Sequence, residues 1–305
     1  MITTFLRRAS TRSLALTMTF AITLANAYGQ ETPGETELRQ SEVIVTAPQV
    51  EQTRRFVETL TIAPRSLDQL ARWDSRFCPL IAGATERQAE YIADQVSRRA
   101  QEVGLRPGAP GCTPNVVILF TAKSDELAQR MFEEDADVFA YYDSVNSATL
   151  GRKAFDAFMN STAPVRWWHV IQTVGADGVP IRASGGRAPT VRSSGSRLRS
   201  AVRQDLARAI IIIDVTRVGG VPVSAIADYV AMVSLAQIDP AAVDPGLPSI
   251  LTLFSGAAST TNPQPTEMTS NDLAFLKGLY ASSGDAVSVR QQLGEIARSM
   301  SDGSR

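Results

Sequence analysis

The sequence predicts an α/β (α+β) protein with a single mixed sheet flanked by helices. Two short runs of consecutive aliphatic residues, VVILF at 116–120 and IIII at 210–213, read as buried strands. Around them, apolar residues recur every three or four positions, the period of amphipathic helices. Two of those helices open with capping boxes, Thr85 with Gln88 and Thr269 with Asp272.

Residues 1–27 place Arg7, Arg8 and Arg12 before a short apolar run that ends in Ala25-Asn26-Ala27. A charged start, an apolar middle and small closing residues predict a secretory signal peptide cleaved after Ala27. The run is too short for a bilayer span, which needs about 20 apolar residues. Removing the three arginines takes the formal charge from -1 to -4, which excludes a general nucleic-acid binder. Residues 28–60 are largely polar and predict a flexible segment with one short strand at Val43, Ile44 and Val45. Residues 61–305 then form a single α/β domain.

Within that domain, Cys78 and Cys112 both stand in loop-like surroundings, FCPLIAG and APGCTPN. An even cysteine count in an exported chain predicts a disulfide between them. From Thr85, the residues Ala89, Ile92, Val96, Ala100 and Val103 trace a helix that Gly104 stops. The strand at 116–120 follows, and Ser124 opens an acidic helix. Between 125 and 143 there are seven acids and one arginine; between 182 and 208 there are seven arginines and one acid. The spacing of the second run by glycine and serine predicts a long loop over 182–208. Its Arg187, Arg192, Arg197 and Arg199 are candidates for an anionic envelope component or an acidic partner.

The segment VRWWHVIQT, 165–173, holds two of the three tryptophans and the single histidine. As a strand it sets Val165, Trp167, His169 and Ile171 on one face and Arg166, Trp168 and Val170 on the other. Arg166, Trp168 and His169 are therefore candidate binding residues, for an anion, a sugar ring or a groove. The alternative is a strand covered on both faces.

After the strand at 210–213, Gly219 and Gly220 turn the chain into VPVSAIADYVAMVSLAQI, 221–238, an apolar helix with one carboxylate, Asp228. Asp228 is a further candidate binding residue; a buried carboxylate needs pairing, and Ser224 one turn earlier is one residue that could supply it. The turn PGLPSILTLFSG leads to the helix capped by Thr269 and Asp272. A last helix runs through Val289, Leu293, Ile296 and Met300.

This order, with Pro248, Ser249 and Ile250 in the turn and Thr269, Asp272, Leu279 and Tyr280 in the closing helix, resembles the C-terminal half of metzincin-type zincin metalloproteases. The resemblance spans residues 208–281, about a quarter of the chain. It implies a zincin-like fold whose central helix would carry HExxHxxGxxH. Here Ala227, Ala231 and Gln237 stand at the histidine positions, Ser234 at the glycine and Leu251 at the turn methionine, while Asp228 replaces the catalytic glutamate. Two alanines cannot ligate zinc, and the chain's one histidine cannot supply HExxH. P-loop, dinucleotide and nucleophile-elbow motifs are missing too, so no catalytic residue, metal or cofactor is expected.

The chain is thus similar to secreted alphaproteobacterial proteins with a degenerate zincin half. The expected role is a non-catalytic binding or structural one, in the periplasm or secreted. Two other readings stand beside it. One is a hydrolase with a non-standard site around His169. The other is an accessory of TonB-dependent outer-membrane transport, because EVIVTA (42–47) resembles the start of those receptors.

Overall fold

The computed structural model describes residues 47–303, apart from 65, 75, 142–146, 182–190, 192–194, 243–244 and 256–263. The elements are α1 (Ala47–Leu60), β1 (Pro79–Ala82), α2 (Glu86–Glu102), β2 (Val116–Thr121), α3 (Ser124–Glu134), β3 (Ser147–Ala148), α4 (Arg152–Met159), β4 (Val165–Gly175), β5 (Val202–Asp214), α5 (Val223–Leu235), α6 (Ser270–Ala281) and α7 (Val289–Asp302). Short 3₁₀ turns follow α3 at Ala136–Phe139 and α5 at Ile250–Phe254. The strands form one five-stranded sheet in the order β1-β2-β5-β4-β3. Strands β1, β2 and β5 are parallel, and β4 and β3 extend the sheet antiparallel. The fold class is the one expected, a mixed sheet flanked by helices.

Residue alternation sorts the side chains to two cores. From β4 and β5, Val165, Trp167, Ile171, Ile211 and Ile213 join α1, α2, α5, α6 and α7 in the larger core. Trp168, Val170, Ile210 and Ile212 join Ala128 of α3 and the phenylalanines of α4 in a smaller one. That second core is aromatic, with Trp168 edge-on to Phe155 at 5.3 Å and tilted against Phe158 at 5.9 Å. Both faces of the 165–171 strand are therefore covered, and its side chains read as a near-continuous buried run.

Two sequence expectations need correction. Residues 47–60 are not part of a flexible segment: they form α1, whose Phe56, Val57 and Leu60 are fully buried. Phe56 meets Phe275 of α6 edge-on at 6.4 Å, and the polar side of the helix is laced by Arg54 with Glu51 and Glu58. The short strand expected at 43–45 lies outside the described residues. The loop expected over 182–208 ends earlier, because 202–208 are the first half of β5. They pair with β4 out to Gly175↔Val202, so their backbone groups are satisfied by the sheet. Register shifts between Val170 and Ile171, where Ala207 of β5 is passed over as a bulge.

Cys78 and Cys112 are joined, with Cα atoms 6.2 Å apart. The bond ties the residue before β1 to the loop that leads into β2, and α2 lies in the segment it closes. Gly108 sits against the sulfur of Cys112, where a Cβ would collide with it. Gly83, at φ 81°, lets the chain leaving β1 pass directly over the carbonyl of Phe120. Among the described residues, no helix is long and apolar enough to cross a membrane.

The cysteines are 34 positions apart, so on the chain-entropy model their bond contributes about 3 to 4 kcal/mol. Replacing both by serine is expected to lower the unfolding free energy by that amount in urea titrations. A loss below about 1 kcal/mol would mean that the bond constrains little of the unfolded chain.

Candidate functional site

The site that the zincin resemblance singles out is built on α5. Gly219 and Gly220, the latter at φ 81°, swing the chain from β5 onto the larger core. Eleven of the thirteen residues of α5 are buried, so its carboxylate and its terminal carbonyls need partners inside the protein.

Asp228 finds four. Its Oδ1 accepts from Gln95 Nε2 at 2.7 Å and Arg99 Nε at 2.9 Å. Its Oδ2 accepts from Arg99 Nη2 at 2.8 Å and from the Met268 amide at 2.7 Å. This is a two-pronged guanidinium–carboxylate pair with two further donors, which fills the acceptor capacity of the group. Ser224 takes no part in it. Burial alone would raise the Asp228 carboxyl, but the bonds from Arg99, Gln95 and Met268 outweigh it and hold the group below the usual carboxylate range. Gln95 and Arg99 stand four apart on α2, on the stripe that carries Ile92, Val96 and Ala100. Two polar residues along an apolar stripe are the sequence signal for a buried acid nearby.

The carboxyl end of α5 poses the second problem. A helix leaves its last carbonyls unpaired, and here they are deep in the core. His169 Nε2 donates to Val233 O at 2.8 Å, Trp73 Nε1 to Ser234 O at 2.7 Å and the Tyr280 hydroxyl to Leu235 O at 2.7 Å. Just beyond the helix, Trp167 Nε1 donates to Ile238 O at 3.2 Å. Four side chains from three regions of the chain thus cap the end of α5 and the residues after it. Burial pushes the His169 imidazole down to about 4, against the opposing pull of the Val233 carbonyl. The ring is neutral and serves as a donor.

The remaining positions of the absent zinc motif are buried or half-buried in the fold, and the Gln237 Nε2 is left without a hydrogen-bond partner. Ala227 and Ala231 are fully buried, and Ser234 Oγ donates back to Ala231 O at 3.1 Å. Gln237 Oε1 accepts from the Ala71 amide at 3.3 Å. Leu251 is half-buried against the larger core. Among the described residues, no group of three His, Cys, Asp or Glu side chains could hold a metal ion. The turn and closing-helix residues form one knot around Asp272. It accepts from Ser249 Oγ at 2.5 Å, the Ile250 amide at 2.7 Å, the Thr269 amide at 2.9 Å and Thr269 Oγ1 at 2.8 Å.

The other candidates lie elsewhere. Arg166 is buried on the opposite face of β4, where it donates to Phe158 O at 3.1 Å, Met159 O at 2.9 Å and the Asp125 carboxylate. It therefore closes the carboxyl end of α4 rather than facing a ligand. Trp168 is packed in the aromatic core with its Nε1 on Phe139 O at 2.9 Å, which leaves no face for a sugar or a groove. Arg199 pairs with Asp285 at 3.1 Å, and Arg203 pairs with Asp74 and Asp205. Arg208 donates to Val138 O at 2.9 Å. Arg197 is exposed, while Arg187 and Arg192 lie outside the described residues. The structure therefore brings Asp228 and His169 to one helix but to different tasks, and it separates both from Arg166 and Trp168. Sequence reasoning missed Gln95, Arg99, Trp73 and Tyr280 as the partners that make this possible.

Compared with protein-family models, curated proteins and solved structures, the chain matches none.

Two expectations follow from this geometry. Asp228→Ala leaves the Gln95 and Met268 donors without their acceptor and Arg99 with only its pair to Glu102, and is expected to cost about 3 kcal/mol in urea unfolding. A change within about 0.5 kcal/mol would contradict a structural role. His169 is held near 4 when folded against 6.5 unfolded, so the unfolded chain binds the extra proton between these values. Stability should therefore fall as pH drops from 6.5 to 4, by about 3 kcal/mol from this one group. His169→Gln keeps a donor for Val233 O, and should flatten that part of the stability–pH curve. An unchanged slope would overturn the assignment.

Proposed function

We propose that the protein is an exported, non-catalytic component of the bacterial cell envelope, with a binding or structural role, on a zincin-like scaffold whose active-site helix has lost its chemistry. The observation that carries this reading is the saturation of Asp228. The one carboxylate left at the motif's catalytic positions has all of its acceptor capacity taken by Arg99, Gln95 and the Met268 amide. A general base must be free to reach a water or a substrate proton, and this carboxylate is tied into the core.

Two further observations support it. The ligand positions hold alanine, alanine and glutamine, and the single histidine donates to a helix carbonyl from within the core. A charged start, an apolar middle and Ala25-Asn26-Ala27 support export, with the joined Cys78 and Cys112 fitting an oxidising compartment. The hydrolase alternative would require His169 to leave Val233 and gain a nucleophile or water, and no contact of the ring points that way.

The test is the chain recovered from the periplasm without a histidine tag. It is expected to begin at Tyr28, to carry substoichiometric zinc and to leave casein and a mixed peptide library uncut. Peptide cleavage that co-elutes with the protein and is lost in Asp228→Asn or His169→Gln would overturn the proposal.

A further inference from the structure

The topology of the parallel strands creates a second place to look, away from Asp228. After β1 the chain turns to α2 on the face of the larger core, and after β5 it turns to α5 on the same face. Between these strands lies β2, whose continuation α3 packs on the other face. In open α/β sheets, ligands usually sit outside the carboxyl ends of the strands.

A cleft of about 320 Å³ lies at the carboxyl ends of these strands, on the side of the larger core between the starts of α2 and α5. Ile92, Val218 and Ile226, all buried, line it, with Phe120 near the end of β2 and the half-exposed Val215 also in its wall. Gly83 contributes bare backbone where its chain crosses Phe120. No lining side chain is charged. The polar groups are Thr85 and Gln88, whose side chains are joined by a 2.9 Å bond from Thr85 Oγ1 to Gln88 Oε1. In the capping box the Thr85 hydroxyl oxygen also accepts from the Gln88 backbone amide, so the Gln88 side-chain nitrogen is the donor that this arrangement turns to the cleft.

We infer that this cleft is a binding site for a compact, uncharged, largely apolar molecule with one hydroxyl or carbonyl at its outer end. The volume is at the small end of the range for ligand pockets, about 300 to 1,000 Å³, which suits a single ring. An ionised ligand would leave its charge unpaired against an apolar wall, at a large desolvation cost. A neutral ring buries its carbons on Ile92, Ile226 and Val218 and turns its polar atom to Gln88. The inference concerns a different part of the molecule from α5's capped end and holds whether or not the chain is an enzyme.

The experiment is a titration of the mature chain with phenol, followed by NMR on isoleucine methyl groups, with benzoate at neutral pH as the charged comparison. Phenol is expected to shift the Ile92 and Ile226 methyls saturably. Val215→Trp, which fills the cleft from a half-exposed position, should weaken that binding about tenfold or more, and benzoate should bind wild type more weakly by a similar factor. Val215→Phe serves as the milder variant should the tryptophan disturb folding. The inference is overturned if phenol gives no saturable shift at those methyls, if both Val215 variants bind as wild type does, or if benzoate binds as well as phenol.

Discussion

The rest of this structure depends on the burial of α5. A helix with eleven of thirteen residues inside the core gains its stability from apolar contact, and every polar group it carries becomes a liability. A net hydrogen bond adds only about 1 kcal/mol, whereas an unmet buried donor or acceptor costs about 1 to 3 kcal/mol. The partners of α5 are therefore obligatory. Asp228 draws in α2 through Gln95 and Arg99, and the segment before α6 through the Met268 amide. The end of the helix draws in Trp73 from ahead of β1, His169 and Trp167 from β4, and Tyr280 from α6. Each of these elements is placed against α5 by a directional bond as well as by packing.

This arrangement accounts for the residues that first attract attention as chemistry. The carboxylate of Asp228, the imidazole of His169, the indoles of Trp73, Trp167 and Trp168 and the phenol of Tyr280 are each aimed at a group of the protein's own backbone or at a paired side chain. Arg166 does for α4 on the opposite face what His169, Trp73 and Tyr280 do for α5. Arg72 does it for α6, donating to Leu279 O and Tyr280 O at 3.1 Å and to Ser282 O at 2.6 Å. Three helices of this fold thus end in the core or against it, and each uses imported donors in place of solvent. Depressed or raised proton affinities here follow from burial and pairing, which structural networks produce as readily as active sites do.

Much of the frame was legible in the residues. Consecutive β-branched side chains marked β5, alternation assigned the two faces of β4, and the Thr269–Asp272 box fixed the start of α6. Less legible were elements whose signal is short or offset. β1 has four residues, and α4 has eight. In α1 the buried Phe56, Val57 and Leu60 come only in the second half, behind charged turns that look like a tether. The arginines of 203 and 208 resembled the loop before them because their role in β5 depends on pairing with β4, which lies some thirty residues away. The candidate site was half legible. The sequence showed that Asp228 needed a partner, but its partners come from α2 and from Met268, two residues before α6, and no local spacing points to them.

The central claim is that α5 is a fixed structural hub whose carboxylate and terminal carbonyls are consumed by the fold. Native-state hydrogen exchange of the α5 amides tests it most directly, because exchange free energies separate local opening from global unfolding. The account predicts that the amides from Tyr229 to Leu235 exchange only with global unfolding, at the same free energy as those of β5. Exchange through a local opening well below that value would show a helix that is free to move, and would contradict the account.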